Sequence, residues 1–98
     1  MPMAEFRLSP AAITDLEGIW HDTCSDWSEQ QADAYIGLLF DAFAAMAEFP
    51  LAGKAADDIR PGYRRQRCGS HVIFYRPQDF GVEIVRILYG QMLAELHL

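Results

Sequence analysis

Cysteine is scarce in this 98-residue chain, and long apolar runs are missing. The two cysteines, Cys24 and Cys68, lie far apart and have neither a C-x-x-C pattern nor the Cys/His spacing of a zinc site. We therefore expect free thiols in a reducing compartment, with a structural disulfide as the less favoured alternative. No stretch is apolar enough to span a membrane or simple enough to be disordered. The N-terminal residues lack the pattern of a signal peptide, so a cytoplasmic location is expected.

Lysine is almost absent, and the basic residues are unevenly distributed. Residues 1–58 carry two basic side chains, including the single lysine Lys54, against eleven acidic ones, a net charge of −9. Residues 59–98 carry six arginines against three acidic side chains, a net charge of +3. Because guanidinium is a planar fork, these arginines favour directional contacts with carboxylates or phosphates. The total charge of −6 disfavours an unaided nucleic-acid-binding protein, and sequence-specific nucleic-acid binding is not expected.

Length and composition indicate one small globular domain over residues 1–98. Domains are most often roughly 100 to 150 residues long. The chain is 51% hydrophobic and 22% charged, which is a globular composition.

Two capping signals predict an antiparallel helical hairpin. Ser9-Pro10 supplies a hydroxyl N-cap followed by proline at the first helical position. The S-x-x-Q pattern that starts at Ser28 is a capping box, which indicates the start of a second helix. We therefore predict helices over residues 12–27 and 29–48, joined by a short turn.

The apolar stripes of the two helices predict how the hairpin packs. The first helix is expected to bury a face made of Ile13, Leu16, Ile19, Trp20, Cys24 and Trp27, with its acidic residues mostly off that face. The stripe of the second helix is wider than packing on one neighbour requires. One interpretation is that the first helix covers one side of it and the sheet covers the other. The alternative is that Leu38 and Phe40 receive an apolar segment of a partner.

The rest of the chain predicts strands. Residues 5–8 can pair as an edge strand, and residues 51–62 form a long connection. Gly69-Ser70 suits a two-residue type II′ hairpin, and a second hairpin turns through residues 77–81. The predicted strands of the antiparallel meander are residues 63–68, 71–76 and 82–89. The fold class is therefore α+β: a short N-terminal strand, a helical hairpin, a three-strand meander, and a short C-terminal tail or helix.

The last predicted strand has apolar residues at both parities, so we expect it at the centre of the sheet. Arg86 lies in the middle of this strand. Because an unpaired buried charge is costly, Arg86 must have a partner or face a functional surface.

Three dense motifs carry a family resemblance: D-I-R-P-G-Y-R at residues 58–64, G-S-H-V-I-F-Y-R at residues 69–76 and I-V-R-I-L at residues 84–88. With the order of the elements, they resemble the ParE toxins of bacterial type II toxin–antitoxin systems, in the RelE/ParE superfamily. The family pattern usually continues with histidine where this chain has Tyr89.

The resemblance implies a small toxin that binds DNA gyrase, blocks strand resealing so that cleaved DNA accumulates, and is neutralised by a ParD-type antitoxin. It would act as a protein-binding inhibitor rather than an enzyme, in a hetero-oligomer with the antitoxin. Arginine is enriched at interface hot spots. The residues we predict to contact antitoxin or target are Arg64, Arg65, Arg76, Arg86 and Tyr89. An apolar groove near Trp20, Leu38 and Phe40 is predicted to hold an amphipathic antitoxin segment.

No catalytic or metal-binding set stands out in the sequence. The three histidines lack ligand spacing, no Ser or Cys nucleophile has an obvious His and acid partner, and no cofactor is expected. His71 is expected to be a strand residue bonded near the hairpin turn rather than a general base. Two alternatives stay open: a RelE-type ribosome-dependent mRNA endonuclease that uses Arg64, Arg76, Arg86 and Tyr89, and a non-toxic remnant that binds antitoxin.

Overall fold

The structure is a computed structural model that describes residues 4–90, 94, 97 and 98. Two helices pack on one face of a five-stranded sheet, which confirms the α+β class. The elements are β1 Glu5–Leu8, α1 Pro10–Asp26, α2 Glu29–Glu48, β2 Lys54–Ala55, β3 Arg64–Cys68, β4 His71–Gln78 and β5 Gly81–Tyr89. The strand order is β1-β5-β4-β3-β2. β1 runs parallel to β5, and the other neighbours are antiparallel.

Both predicted N-caps are confirmed. The Ser9 hydroxyl oxygen accepts a hydrogen bond from the Ala12 N–H at 3.0 Å, and Pro10 is the first helical residue. The same hydroxyl donates to the Val85 carbonyl of β5 at 2.7 Å, so the cap also joins α1 to the sheet. The Ser28 hydroxyl accepts from the Gln31 N–H at 3.1 Å and starts α2.

The buried core lies between the helices and the sheet. Its largest side chains are Leu39, Phe43, Met46, Ile73, Tyr75, Val82 and Ile84. The predicted central position of the last strand is confirmed, because β5 lies between β1 and β4. Neither helix in the described part of the chain is long and apolar enough to cross a membrane.

The predicted apolar face of α1 is partly wrong. Leu16 and Ile19 are buried as expected, but Ile13 is exposed and Trp27 is 77% exposed. Trp27 is the C-cap of α1, with φ −130° and ψ −86°, so it lies outside the helical register from which its position was predicted. Asp15, expected mostly off the packed face, has a side chain that is only 13% exposed.

The sheet has one strand more than the sequence predicts. β2 falls within the predicted connection and pairs with β3, with Lys54 opposite Arg65. Tyr75 holds this segment: its hydroxyl accepts from the Gly53 N–H and donates to the Pro50 carbonyl, each at 3.0 Å. A two-residue strand is too short to produce a hydrophobic period, so pattern alone does not reveal it.

The second hairpin turn is shorter than predicted. β4 continues to Gln78, which pairs with Gly81, so only Asp79 and Phe80 form the turn. Pro77 is tolerated in β4 because β3 pairs with β4 only as far as Tyr75, which leaves Pro77 with a strand neighbour on one side.

A β-bulge breaks the alternation of β5. Phe74 is opposite Arg86 and Tyr75 is opposite Ile84, so Val85 has no partner in β4. Bulges bend a strand and redirect its side chains. Here the bulge presents the Val85 carbonyl to Ser9 and allows the Arg86 side chain to reach α1.

Candidate functional site

Arg86 forms a bidentate ion pair with Asp15 of α1. Arg86 Nε donates to Asp15 Oδ2 and Nη2 donates to Oδ1, each at 2.8 Å. Asp15 Oδ2 also accepts from the Ile87 N–H at 2.9 Å, and Arg86 Nη1 donates to the His97 carbonyl at 2.7 Å. The hydrogen bonds to Asp15 raise the pKa of Arg86 above its ordinary value. The predicted need for a partner is therefore met within the chain, with the Arg86 side chain 21% exposed.

His71, the first residue of β4, is held by Tyr35 of α2. Tyr35 Oη lies 2.7 Å from His71 Nδ1 and 3.2 Å from the Cys68 carbonyl, and it accepts from the Ser70 N–H at 3.1 Å. Gly69 has a φ of +59° and Ser70 does not have a positive φ, as the predicted type II′ turn requires. These contacts confirm that His71 is a strand residue bonded near the hairpin turn.

His71 is buried, with only 4% of its surface accessible to solvent. Burial lowers its pKa below the ordinary value, while Asp15 and Asp22 act in the opposite direction. The Tyr89 ring lies against the imidazole with centroids 4.4 Å apart. Among the described residues, His71 Nε2 has no hydrogen-bond partner.

Two adjoining cavities meet at His71 and Tyr89, and we call them together the α1 groove. The larger, of about 210 Å³, lies between α1 and the end of β5, with Ile19 and Asp22 in its wall. The smaller, of about 130 Å³, continues to the exposed Trp27 and includes Asp26. The acidic residues follow one face of α1 at helical spacing, so the α1 groove has an acidic wall and an aromatic end.

Basic side chains lie together on the face of the sheet that points away from the helices. Arg64 is opposite the core residue Tyr75, so Arg65 and Arg67 point away from the helices by strand alternation. Arg76 follows Tyr75 and shares this side, and Lys54 pairs with Arg65. We call Lys54, Arg65, Arg67 and Arg76 the cationic face; it borders a cleft of about 410 Å³ beside β2 and β3.

The predicted site arginines differ in what they already contact. Arg64 donates to the carbonyl of Gly53 at 2.6 Å, which ties β3 to the preceding connection. Arg76 donates to Glu83 at 2.6 Å, and Arg65 lies 3.8 Å from Asp58. Arg65 and Arg76 are exposed enough to exchange these surface partners, whereas Arg64 and Arg86 are part of the fold.

The structure does not bring the three predicted groove residues together. Trp20 Nε1 donates to Asp33 at 3.0 Å. Asp33 lies on the same flank of α2 as Phe40, about two helical turns before it. Phe40 is 38% exposed and packs edge-on against Phe6 of β1. Leu38, 57% exposed, lies about 200° around the helix from Phe40, on the other flank. Helix and sheet cover the middle of the stripe, as the first interpretation for α2 expects, and leave Leu38 and Phe40 exposed.

Asp15, Asp22 and Trp27 are not among the predicted site residues. Asp15 could have been found, because Arg86 requires a carboxylate. The α1 groove has no sequence signal, since it depends on how the end of β5 lies against α1.

The described residues contain no group of three or more His, Cys, Asp or Glu side chains able to hold a metal ion. Both cysteines are free thiols, and burial raises the pKa of Cys68.

Comparison with known sequences agrees with the resemblance. The sequence model of the family described as "ParE toxin of type II toxin-antitoxin system, parDE" matches residues 6–94. Toxin ParE1 of Mycobacterium tuberculosis (strain CDC 1551 / Oshkosh) is 41% identical over 96 residues, which cover 97% of this chain and 98% of that protein. Toxin ParE1 of Caulobacter vibrioides is also 41% identical over 96 residues, which cover 98% of this chain and 99% of that protein.

The fold is shared with a solved structure described as a chromosomal ParDE TA system from P. aeruginosa. The TM-score is 0.76 at 15% sequence identity, and the match covers 91% of this chain and 98% of that chain. With the sequence match over nearly the whole length, the chain belongs to the ParE toxin family of type II toxin–antitoxin systems.

Proposed function

We propose that this ParE-family chain inhibits DNA gyrase by stoichiometric protein binding, so that cleaved DNA accumulates, and that a ParD-type antitoxin neutralises it in the cytoplasm. The observation that carries the proposal is the family match, which extends over residues 6–94. Toxins named ParE1 from two organisms align with nearly all of the chain.

The contacts of the arginines support binding rather than phosphodiester cleavage. Arg86 is held by Asp15, and Arg64 is held by a backbone carbonyl. An mRNA endonuclease must keep basic and acid–base groups available for the phosphate and the attacking hydroxyl. The net charge of −6 also opposes association with RNA. We therefore favour a protein-binding toxin without a bond-breaking step of its own.

The cationic face is the surface we assign to an acidic segment of the antitoxin. Arg65 and Arg67 alternate along β3, and Lys54 lies beside them on the edge strand. An extended segment along this edge would place its carboxylates over these side chains and could pair with the exposed edge of β2. Arg65 and Arg76 would then exchange Asp58 and Glu83 for antitoxin carboxylates.

The function is tested by adding the purified chain to a gyrase supercoiling assay and, in parallel, to ribosomes translating a reporter message. We expect accumulated cleaved plasmid and an intact message, and restoration of supercoiling when a ParD-type antitoxin is added. Message cleavage with normal supercoiling would instead assign the chain to the endonucleases. No effect in either assay, with tight antitoxin binding, would identify a non-toxic remnant.

The antitoxin surface is tested by calorimetry with Arg65→Ala and Arg76→Ala. Each should weaken antitoxin binding by about tenfold, the effect of losing one charge-assisted hydrogen bond. Arg7→Ala is the matched control, because Arg7 is an exposed arginine paired with Glu5 on the opposite edge of the sheet. Equal losses in all three variants would show a general charge effect and not a specific surface.

A further inference from the structure

The α1 groove contains a buried polar atom that the fold does not use. His71 is 4% exposed, lines both cavities, and leaves Nε2 without a hydrogen-bond partner among the described residues. Buried polar atoms are nearly always paired, so an unpaired nitrogen beside a cavity points to a ligand. The cavity of about 210 Å³ is several times larger than the roughly 30 Å³ that one water molecule occupies, so it has room for a side chain.

The hydrogen-bond network decides whether Nε2 donates or accepts. We assign the single proton of the Tyr35 hydroxyl to the contact with the Cys68 carbonyl, because a carbonyl oxygen can only accept. The 2.7 Å contact between Tyr35 and His71 then requires the imidazole proton on Nδ1. If the Tyr35 proton pointed to His71 instead, the Cys68 carbonyl oxygen and the phenol oxygen would lie 3.2 Å apart with no proton between them. With this assignment Nε2 presents a lone pair, and its missing partner is a donor.

The walls of the α1 groove select a positively charged donor. Asp22 and Asp26 are exposed carboxylates on the same face of α1, and neither forms an ion pair among the described residues. Asp15 is different because Arg86 already neutralises it. A cation that enters the groove meets these two free carboxylates. Both belong to residues 1–58, whose net charge is −9.

Aromatic rings complete the surface. Tyr89 is 43% exposed above His71, and Trp27 is the most exposed of the large apolar side chains that the structure describes. Tyrosine and tryptophan are enriched at interface hot spots, and their ring faces attract guanidinium groups. A planar guanidinium can stack on a ring and donate in its plane, which a compact ammonium cannot do.

We propose that the α1 groove is a docking site for a basic segment of a protein partner, which inserts an arginine side chain between Asp22 and Tyr89 and donates a hydrogen bond to His71 Nε2. This surface lies on the helix side of the sheet, opposite the cationic face. The toxin thus has two separate surfaces of opposite charge, one for an acidic segment and one for a basic segment.

The test uses NMR on the full chain with three short probes that differ in one group. They are Ac-Gly-Arg-Gly-NH2, the same peptide with citrulline, which is nearly isosteric and uncharged, and the same peptide with glutamate. Nitrogen shifts of the His71 ring report which nitrogen carries the proton and whether Nε2 gains a donor. We expect a proton on Nδ1 in the free protein, and saturable shifts at His71 and Tyr89 with the arginine peptide only.

The double variant Asp22→Asn/Asp26→Asn should weaken arginine-peptide binding by about tenfold, as expected for the loss of charge-assisted contacts. Both side chains are exposed, so the fold should persist; thermal unfolding checks this. Glu17→Gln is the control, because Glu17 is exposed on α1 but does not line the groove. A proton on Nε2, equal binding of the arginine and citrulline peptides, or binding of the glutamate peptide would each overturn the proposal.

Discussion

At the scale of single residues, a guanidinium within an apolar strand needs a partner, and Asp15 provides one from α1. The carboxylate receives two hydrogen bonds from Arg86 and one from the Ile87 N–H. The contact joins residues 71 positions apart, so it fixes how α1 lies on β5.

Replacing Asp15 with alanine should therefore destabilise the fold. It leaves the Arg86 guanidinium and the Ile87 N–H without their acceptor in a mostly buried place, which we expect to lower the free energy of unfolding by about 2–3 kcal/mol. Urea denaturation monitored by circular dichroism measures the change. Glu17→Gln on the exposed face of α1 should alter it by less than about 0.5 kcal/mol. A loss for Asp15→Ala as small as that of the control would contradict the structural role.

His71 gives the fold a dependence on pH with a definite sign. Burial lowers its pKa in the folded state below the unfolded value of 6.5, and Asp15 and Asp22 only partly oppose this. Below pH 6.5 the unfolded chain binds more protons at this position, so stability is fully present above that pH and is lost as pH falls. Urea unfolding at pH 7.5 and pH 5 should show the decrease, and His71→Gln should reduce it. An unchanged pH slope in His71→Gln would assign the effect to other groups.

At the scale of elements, the two helix caps have the same local chemistry and different tertiary roles. Ser9 and Ser28 each accept from a backbone N–H three residues on. Only Ser9 also donates to a carbonyl at the β5 bulge.

The two caps should therefore differ in energy. Ser28→Ala should cost about 1 kcal/mol, the usual value of an N-cap, and Ser9→Ala about 2 kcal/mol, because the Val85 carbonyl also loses its donor. Chemical denaturation of the two single variants gives the comparison directly, and each variant is the control for the other. Equal costs would mean that the bond to the bulge contributes nothing to stability.

The strands show which features a sequence pattern predicts and which it does not. β3, β4 and β5 have enough β-branched and aromatic residues for their existence and order to be predicted. β2 has two residues, too few to show a hydrophobic period. The β5 bulge has no signal in the amino-acid composition of the strand. Both depend on contacts with distant residues, Tyr75 for β2 and Ser9 for the bulge.

At the scale of the whole molecule, one core connects the helices to every long strand. β1 comes from the N-terminus and pairs with β5, the last strand, so the two ends of the described chain share one sheet. A chain closed in this way should unfold in one cooperative step, as predicted for a single domain over residues 1–98.

Far-ultraviolet circular dichroism and tryptophan fluorescence should then give coincident thermal transitions. The fluorescence reports the helical hairpin, because Trp20 and Trp27 both belong to it, while the dichroism includes the sheet. If the fluorescence transition preceded the loss of sheet signal, the helical hairpin would be a separate unit.

By itself, the amino-acid sequence determined the fold class, both helix starts, the central position of β5 and the requirement that Arg86 be paired. These follow from local chemistry and period, which act over a few residues. Only the tertiary structure decided that the partner is Asp15 and that His71 faces a groove. Those outcomes depend on packing between residues far apart in the chain, which no local pattern encodes. The near absence of lysine pointed to arginines with fixed partners. The structure gives Arg64 and Arg86 partners that belong to the fold, whereas Arg65 and Arg76 on the cationic face have surface partners.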